Sequence, residues 1–209
     1  MIWLIVILVV VALIVIVLIT LYNRFVRLRN RVDNAWAQIE VQLKRRWDLI
    51  PNLIETVKGY AAHERETFEA VTEARTRAQQ AQTPAQVAQA EGILGQALGR
   101  LFAVAEAYPE LQADENFRQL QTELAETENR IAVSRQVYND SVLTFNNAIQ
   151  TFPGVVLAGP FGFTKREFFE VEDEAQREPP RVSFREETPA AASEPPGGPG
   201  EAPSGTTQS

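Results

Sequence analysis

The sequence predicts an all-α protein: a single N-terminal transmembrane helix, an antiparallel up-and-down four-helix bundle, and a disordered C-terminal tail. Three observations predict it. From Met1 to Asn23 there is no charged side chain. After that, apolar residues recur every three or four positions, with no stretch of strand-like alternation. From Ala175 onward the composition shifts to Pro, Gly, Ser and Glu. The boundaries follow: an anchor over 1–23, a helical body over 24–174 and a tail over 175–209.

The anchor comes first. Ile2 to Leu21 is almost wholly Ile, Leu, Val and Ala, and roughly 20 such residues rising about 1.5 Å each cross a hydrocarbon core of about 30 Å. A cleaved signal peptide competes with this reading. It would need a positive n-region, a shorter apolar core and a small-x-small cleavage site. Here only the α-amino group precedes the run, and LITLYN is a poor cleavage site, so an uncleaved anchor is expected. Arg24, Arg27, Arg29 and Arg31 follow it directly. Basic flanks stay on the cytoplasmic side, which predicts a single-pass protein with its body facing the cytoplasm. Trp3 and Tyr22 suit the two interfacial belts. These six residues are the candidate membrane-interface set, although a solvated helix face would accommodate the same arginines.

Four apolar stripes describe the body. The first is Phe25, Leu28, Val32, Ala35, Ile39 and Leu43; the second is Leu53, Val57, Tyr60, Phe68 and Val71. Val87, Leu94, Leu98, Leu101, Ala105 and Tyr108 make a third. The fourth alternates spacings of three and four from Phe117 through Leu124, Ile131 and Tyr138 to Ala148, a heptad-like seam typical of coiled coils. Thr83-Pro84-Ala85-Gln86 reads as a capping box with proline at the first helical position. Tyr108-Pro109 ends the third helix, and Asp114 is placed to cap the fourth. Between the first two stripes lies LKRRWDLIPNLI. There Asp48 reads as an N-cap with Pro51 in the first turn, so the preceding helix is expected to stop near Trp47. A kinked continuous helix is the alternative.

Two further features stand out. FPGVVLAGPFGF, residues 152–163, is expected to cap the bundle end, the alternative being a position at the lipid headgroups. Gly92, Gly95 and Gly99 share a helix face and predict a close helix approach, against the alternative of bare exposed surface. The tail holds EPPGGPGEAPSGTTQS, a composition that buries too little to order itself.

Composition narrows the chemistry. A net charge of −7 and a pI near 4.9 argue against nucleic-acid binding. With no cysteine, thiolate metal sites and cysteine nucleophiles are excluded. His63 is the sole histidine, and Thr67 stands where a helical zinc motif needs the second. Neither cofactor, metal nor catalytic activity is expected. Polar residues near the seams are the remaining candidates: Asn34, Gln42 and Arg46 on one helix, Asn129, Arg135 and Asn139 on or beside the fourth. Arg46, Trp47, Asp48, Arg135, Tyr138 and Asn139 read either as a ligand or partner pocket or, preferably, as hydrogen-bonded residues that fix helix register. With Pro51, they complete the candidate partner and polar-network set.

Read together, VDNAWAQIEVQLKRRWDLIPNLIETVKGYAAHE, LFAVAEAYPELQADENF, NRIAVSRQVYN and FPGVVLAGPFGF, in that order behind an anchor, resemble the LemA family of bacterial membrane proteins. The likeness runs from the anchor to about residue 184. It implies one membrane helix, a short outside N-terminus and a cytoplasmic helical bundle. Some members are associated with magnetosome membranes, which implies a structural or organising role. The expected function is therefore a membrane-anchored interaction or scaffold protein in the bacterial inner membrane. Its partners would be the bilayer, through residues 2–22, and other membrane-associated proteins; a homo-oligomer is compatible with the fourth-helix seam. A membrane-shaping module is the alternative, and an enzyme working through carboxylates alone ranks third.

Overall fold

A computed structural model describes residues 1–170, so the tail expected over 175–209 lies outside the described residues. Those residues form six helices and no strand: α1 (Ile2–Lys58), α2 (Arg65–Gln80), α3 (Pro84–Glu106), α4 (Pro109–Ala113), α5 (Glu115–Gln150) and α6 (Gly154–Ala158). The all-helical class is as predicted. One helix, α1, has a segment long and apolar enough to cross a membrane.

The expected break at Asp48–Pro51 is overturned. α1 runs unbroken through Pro51, and Asp48 is an exposed mid-helix residue instead of a cap. Proline has no N–H, so the carbonyl one turn earlier, on Trp47, loses its helical partner. Arg75 of α2 supplies the replacement: its Nε donates to the Trp47 carbonyl at 2.8 Å. With that oxygen satisfied, the helix has no need to end. The reversal comes at Gly59–Glu64 instead, where the amides of Tyr60 and Ala61 both donate to the Val57 carbonyl. Replacing Arg75 with leucine is expected to cost about 1–2 kcal/mol, since it strips a charged donor from a partly buried carbonyl. Urea denaturation measures the loss, and faster amide exchange around residues 47–52 would localise it.

Other end signals are as read from the sequence. Gln86 N donates to Thr83 Oγ1 at 3.3 Å and Thr83 N to Gln86 Oε1 at 3.4 Å, closing the capping box at α3. Asp114 accepts from Phe117 N at 2.9 Å and starts α5. The short α4 bridges Pro109 to that cap.

α1 and α5 contact one another in reverse order. Trp36 meets Tyr138 at 5.3 Å between ring centroids, Arg46 pairs with Glu128 at 2.6 Å, and Tyr60 donates to Asp114 at 3.2 Å. Two apolar clusters lie along this pair. One gathers Phe25, Val32, Ile39 and Leu43 with Ile131, Tyr138, Val142 and Phe145. The other gathers Ile50, Leu53 and Val57 with Phe68, Val71, Leu94, Leu101 and Phe117, bringing in α2 and α3. Trp47 and Ala81 touch both. The expected close approach at the α3 glycines is also overturned. A Cβ on Gly92 or Gly99 would meet nothing within 4 Å, and one on Gly95 would meet only Arg46 Nη2 at 3.9 Å. That face is open surface.

Candidate functional site

Polar chemistry concentrates at three levels along α1. Arg46 takes a core position, three residues after Leu43 and four before Ile50, and is only 8% exposed. Its Nη1 holds Glu91 Oε2 of α3 at 2.9 Å and Glu128 Oε2 of α5 at 2.6 Å. Trp47 Nε1 donates to the other Glu91 oxygen at 2.7 Å. Glu91, also 8% exposed, thus has both oxygens engaged. Burial pushes its pKa up, against the downward pull of Arg46 and the Trp47 hydrogen bond. The site ties three helices together around one guanidinium. Beside it, a depression of about 440 Å³ is bordered by Gly95, Gly99, Phe102 and Leu124. Of these glycines only Gly95 comes near the arginine head, a Cβ there lying 3.9 Å from Arg46 Nη2.

A second network straps the segment 164–169 to α5. Asn146 accepts from Arg166 N at 2.9 Å and donates to Arg166 O at 2.9 Å. Asn139 treats Phe169 the same way, at 2.9 and 3.3 Å, and the Tyr138 hydroxyl donates to Glu167 O at 2.8 Å. The spacing explains the match. Seven helical residues rise about 10.5 Å, and three extended ones span about 10 Å, so two asparagines on α5 meet the strap three backbone positions apart in register. Burial pushes the Tyr138 pKa up to about 12, Arg166 pulling against it. Arg166 also pairs with Asp33 at 2.9 Å, and Phe169 packs against Trp36 at 6.0 Å. Asn146→Ala is expected to cost about 1–2 kcal/mol through the orphaned strap groups. Amide exchange at Arg166–Phe169 should quicken while exchange in α3 stays unchanged.

The third level is where α1 leaves its apolar run. Tyr22 packs edge-on against Phe161 and Phe163 at 5.3 and 5.8 Å. Phe25 and Phe145 hold Phe163 from the other side, and Arg29 sits over its ring at 5.5 Å. Gly154 lies hard against α5 and α1: a Cβ there would overlap the Ala148 carbonyl and press the Phe25 ring at 3.1 Å. Gly162, at φ +73°, turns the chain so that Phe163 N reaches the Ala158 carbonyl and its ring reaches the core. Residues 152–163 therefore cap this end through Gly154, Ala158 and Phe163.

The candidate set from the sequence divides. Arg46 and Trp47 meet at one network, Tyr138 and Asn139 at another, and no single pocket contains all of them. Trp47 and Asp48 border a depression of about 430 Å³, and Arg135 and Asn139 a separate one of about 460 Å³. Asn34, Asp48, Pro51, Asn129 and Arg135 are exposed. Trp3, Tyr22, Arg24, Arg27, Arg29 and Arg31 are exposed along α1, Trp3 at the far end of the apolar segment. A depression of about 640 Å³ lies beside the α1–α2 turn among Lys58, Arg65, Phe68 and Glu73, and no candidate residue lines it. His63 is exposed in that turn. Among the described residues no cluster of three or more His, Asp and Glu could hold a metal ion.

Glu91 and Asn146 were missed by the sequence reading. Each occupies a core position of its stripe, Glu91 between Val87 and Leu94 and Asn146 four residues after Val142. A polar residue at a position the apolar spacing reserves was the available signal.

Residues 35–184 match the LemA family. Magnetosome protein MamQ 2 of Paramagnetospirillum magneticum is 30% identical, over 71% of this chain and 64% of its own length. Magnetosome protein MamQ of Magnetospirillum gryphiswaldense is 29% identical with the same shares. Protein LemA of Metamycoplasma hominis is 27% identical, over 62% of this chain and 60% of its own. The chain thus spans less than two thirds of the length of these curated relatives.

Proposed function

The chain belongs to the LemA family, and on that premise we propose that it is a membrane-anchored scaffold which holds partners near the inner face of a bacterial cell membrane. In this reading α1, α2, α3 and α5 form an antiparallel up-and-down four-helix bundle in the cytoplasm, and residues 2–22 cross the bilayer. Its partners are other membrane-associated proteins, or further copies of the chain, and it performs no catalysis. The observation that carries the reading is the continuity of α1. Fifty-seven residues run from the exposed apolar segment into the core with no linker, so the body is held at a fixed place relative to the anchor. The polar networks support it too, because their groups are occupied in tying helices and strap together.

The outward side of α5 offers Val133, Val137 and Leu143, all exposed. A photo-crosslinking residue placed at each in turn, in the full chain in cells, should give an adduct of one discrete mass from neighbouring positions. Absence of any discrete adduct along all of α5 and the exposed side of α1 would overturn the scaffold reading. A membrane-organising role is the second reading. It is favoured by the magnetosome names of two relatives and by the arginine collar below the body. Vesicles bearing the protein densely should then change shape under electron microscopy.

A further inference from the structure

The end-capping segment has two sides, and only one of them is used by the cap. Gly154, Ala158 and Phe163 are buried, whereas Phe152 is 84% exposed, Val156 is 62% exposed and Val155 is exposed beside them. No described residue covers these three. Their height on the molecule is fixed by neighbours: Gly154 adjoins Phe25, and Phe161 adjoins Tyr22. The apolar run ends at Leu21, and four residues of helix rise about 6 Å. The bare side chains therefore lie within reach of the layer where hydrocarbon meets headgroups, which is about 5–10 Å deep for surface-lying helices. Exposed Arg24 and Arg27 follow the apolar run directly on α1, where cations suit an anionic surface.

We propose that Phe152, Val155 and Val156 form a foot that inserts into the lipid interface beside the spanning segment, giving the body a second attachment to the same leaflet. The inference rests on the membrane reading of residues 2–22. Proximity favours lipid over a protein occupant: Phe161, in the same capping segment, packs on Tyr22 at the upper end of the exposed apolar run. A second attachment would stop the body rotating about the α1 axis and would fix which faces of α5 point along the membrane.

The chain has no cysteine, so single labels are unambiguous. An environment-sensitive nitrobenzoxadiazole dye would be attached to full-length Val155→Cys, Val156→Cys, Val10→Cys or Gln112→Cys. Each variant is reconstituted into phosphatidylcholine–phosphatidylglycerol vesicles carrying nitroxide at a shallow or a deep acyl position. The expected result is severalfold quenching at 155 and 156, stronger from the shallow nitroxide, with Val10 quenched by the deep one and Gln112 unquenched. If 155 and 156 behave like 112 while Val10 is quenched, the foot is wrong and the spanning segment stands. An unquenched but blue-shifted label at 155 indicates a protein occupant and equally overturns the foot. An unquenched Val10 removes the spanning reading and the foot with it.

Discussion

Arg46→Met is expected to lower the unfolding free energy by about 3 kcal/mol, the scale on which loss of one partner from a buried ion pair acts. The methionine retains most of the packing along the Leu43–Ile50 stripe, so the loss is mainly electrostatic. Glu91 keeps only the Trp47 donor, and its pKa, already raised by burial, should rise further once the guanidinium is gone. The double variant Arg46→Met/Glu91→Gln should recover much of the stability, because the glutamine carbonyl still accepts from Trp47 Nε1 and no lone charge remains buried. Urea titration of wild type, singles and double gives the coupling directly. Additive losses would mean that the pair contributes nothing through its charges.

The same carboxylate has a pH signature. Its folded pKa lies above the ordinary 4.5, so the native state holds the proton more tightly than the unfolded chain does. The resulting contribution is fully present below pH 4.5 and is lost as the pH rises through the raised folded value. Glu91→Gln removes this contribution. The difference in stability between wild type and variant should therefore move against the wild type across that window and level off above it, which paired thermal melts over pH 4–8 (about half-unit steps) would follow.

Gly154→Ala is expected to cost about 3 kcal/mol, at the upper end for overpacking, because the methyl group meets backbone on one side and the Phe25 ring on the other. An aromatic ring can turn aside; the Ala148 carbonyl is inside α5 and has little freedom. α6 should lift from the bundle end, taking Phe163 out of its contacts with Phe25 and Phe145. Near-ultraviolet circular dichroism would lose part of its aromatic signal, while helix content should hardly change. Gly159→Ala is the control: nothing lies within 4 Å of a Cβ there, and its effect should be small.

Helix periodicity made most of the fold legible. Buried Val87, Leu94, Leu98 and Leu101 in α3, and Phe117, Leu124, Ile131, Tyr138 and Phe145 in α5, are the stripes read from the sequence. So are the caps at Thr83 and Asp114, since a cap is a local hydrogen bond. Pro51 misled because the group that makes it harmless, Arg75, lies 28 residues away from the carbonyl it satisfies. No local pattern carries that partnership. The α3 glycines misled for a related reason: a small side chain can admit a backbone or merely leave a space, and only the neighbouring helix decides which. At the site, Arg46, Trp47, Tyr138 and Asn139 were legible as polar residues on seams. Their grouping was not, because Glu91 and the strap that sort them into two networks enter from distant parts of the chain.

On the proposed spanning of residues 2–22, the linkerless α1 also makes the chain a lever. From Leu21 to Lys58 it extends roughly 55 Å beyond the apolar run at the standard helical rise. A change of about 10° in the tilt of the lower segment, of the kind bilayer thickness imposes on such helices, would sweep the far end sideways by roughly 10 Å. Thickening or thinning of the surrounding lipid would thereby be converted into lateral displacement of the α2–α3 end, a mechanical readout that a hinged tether would absorb.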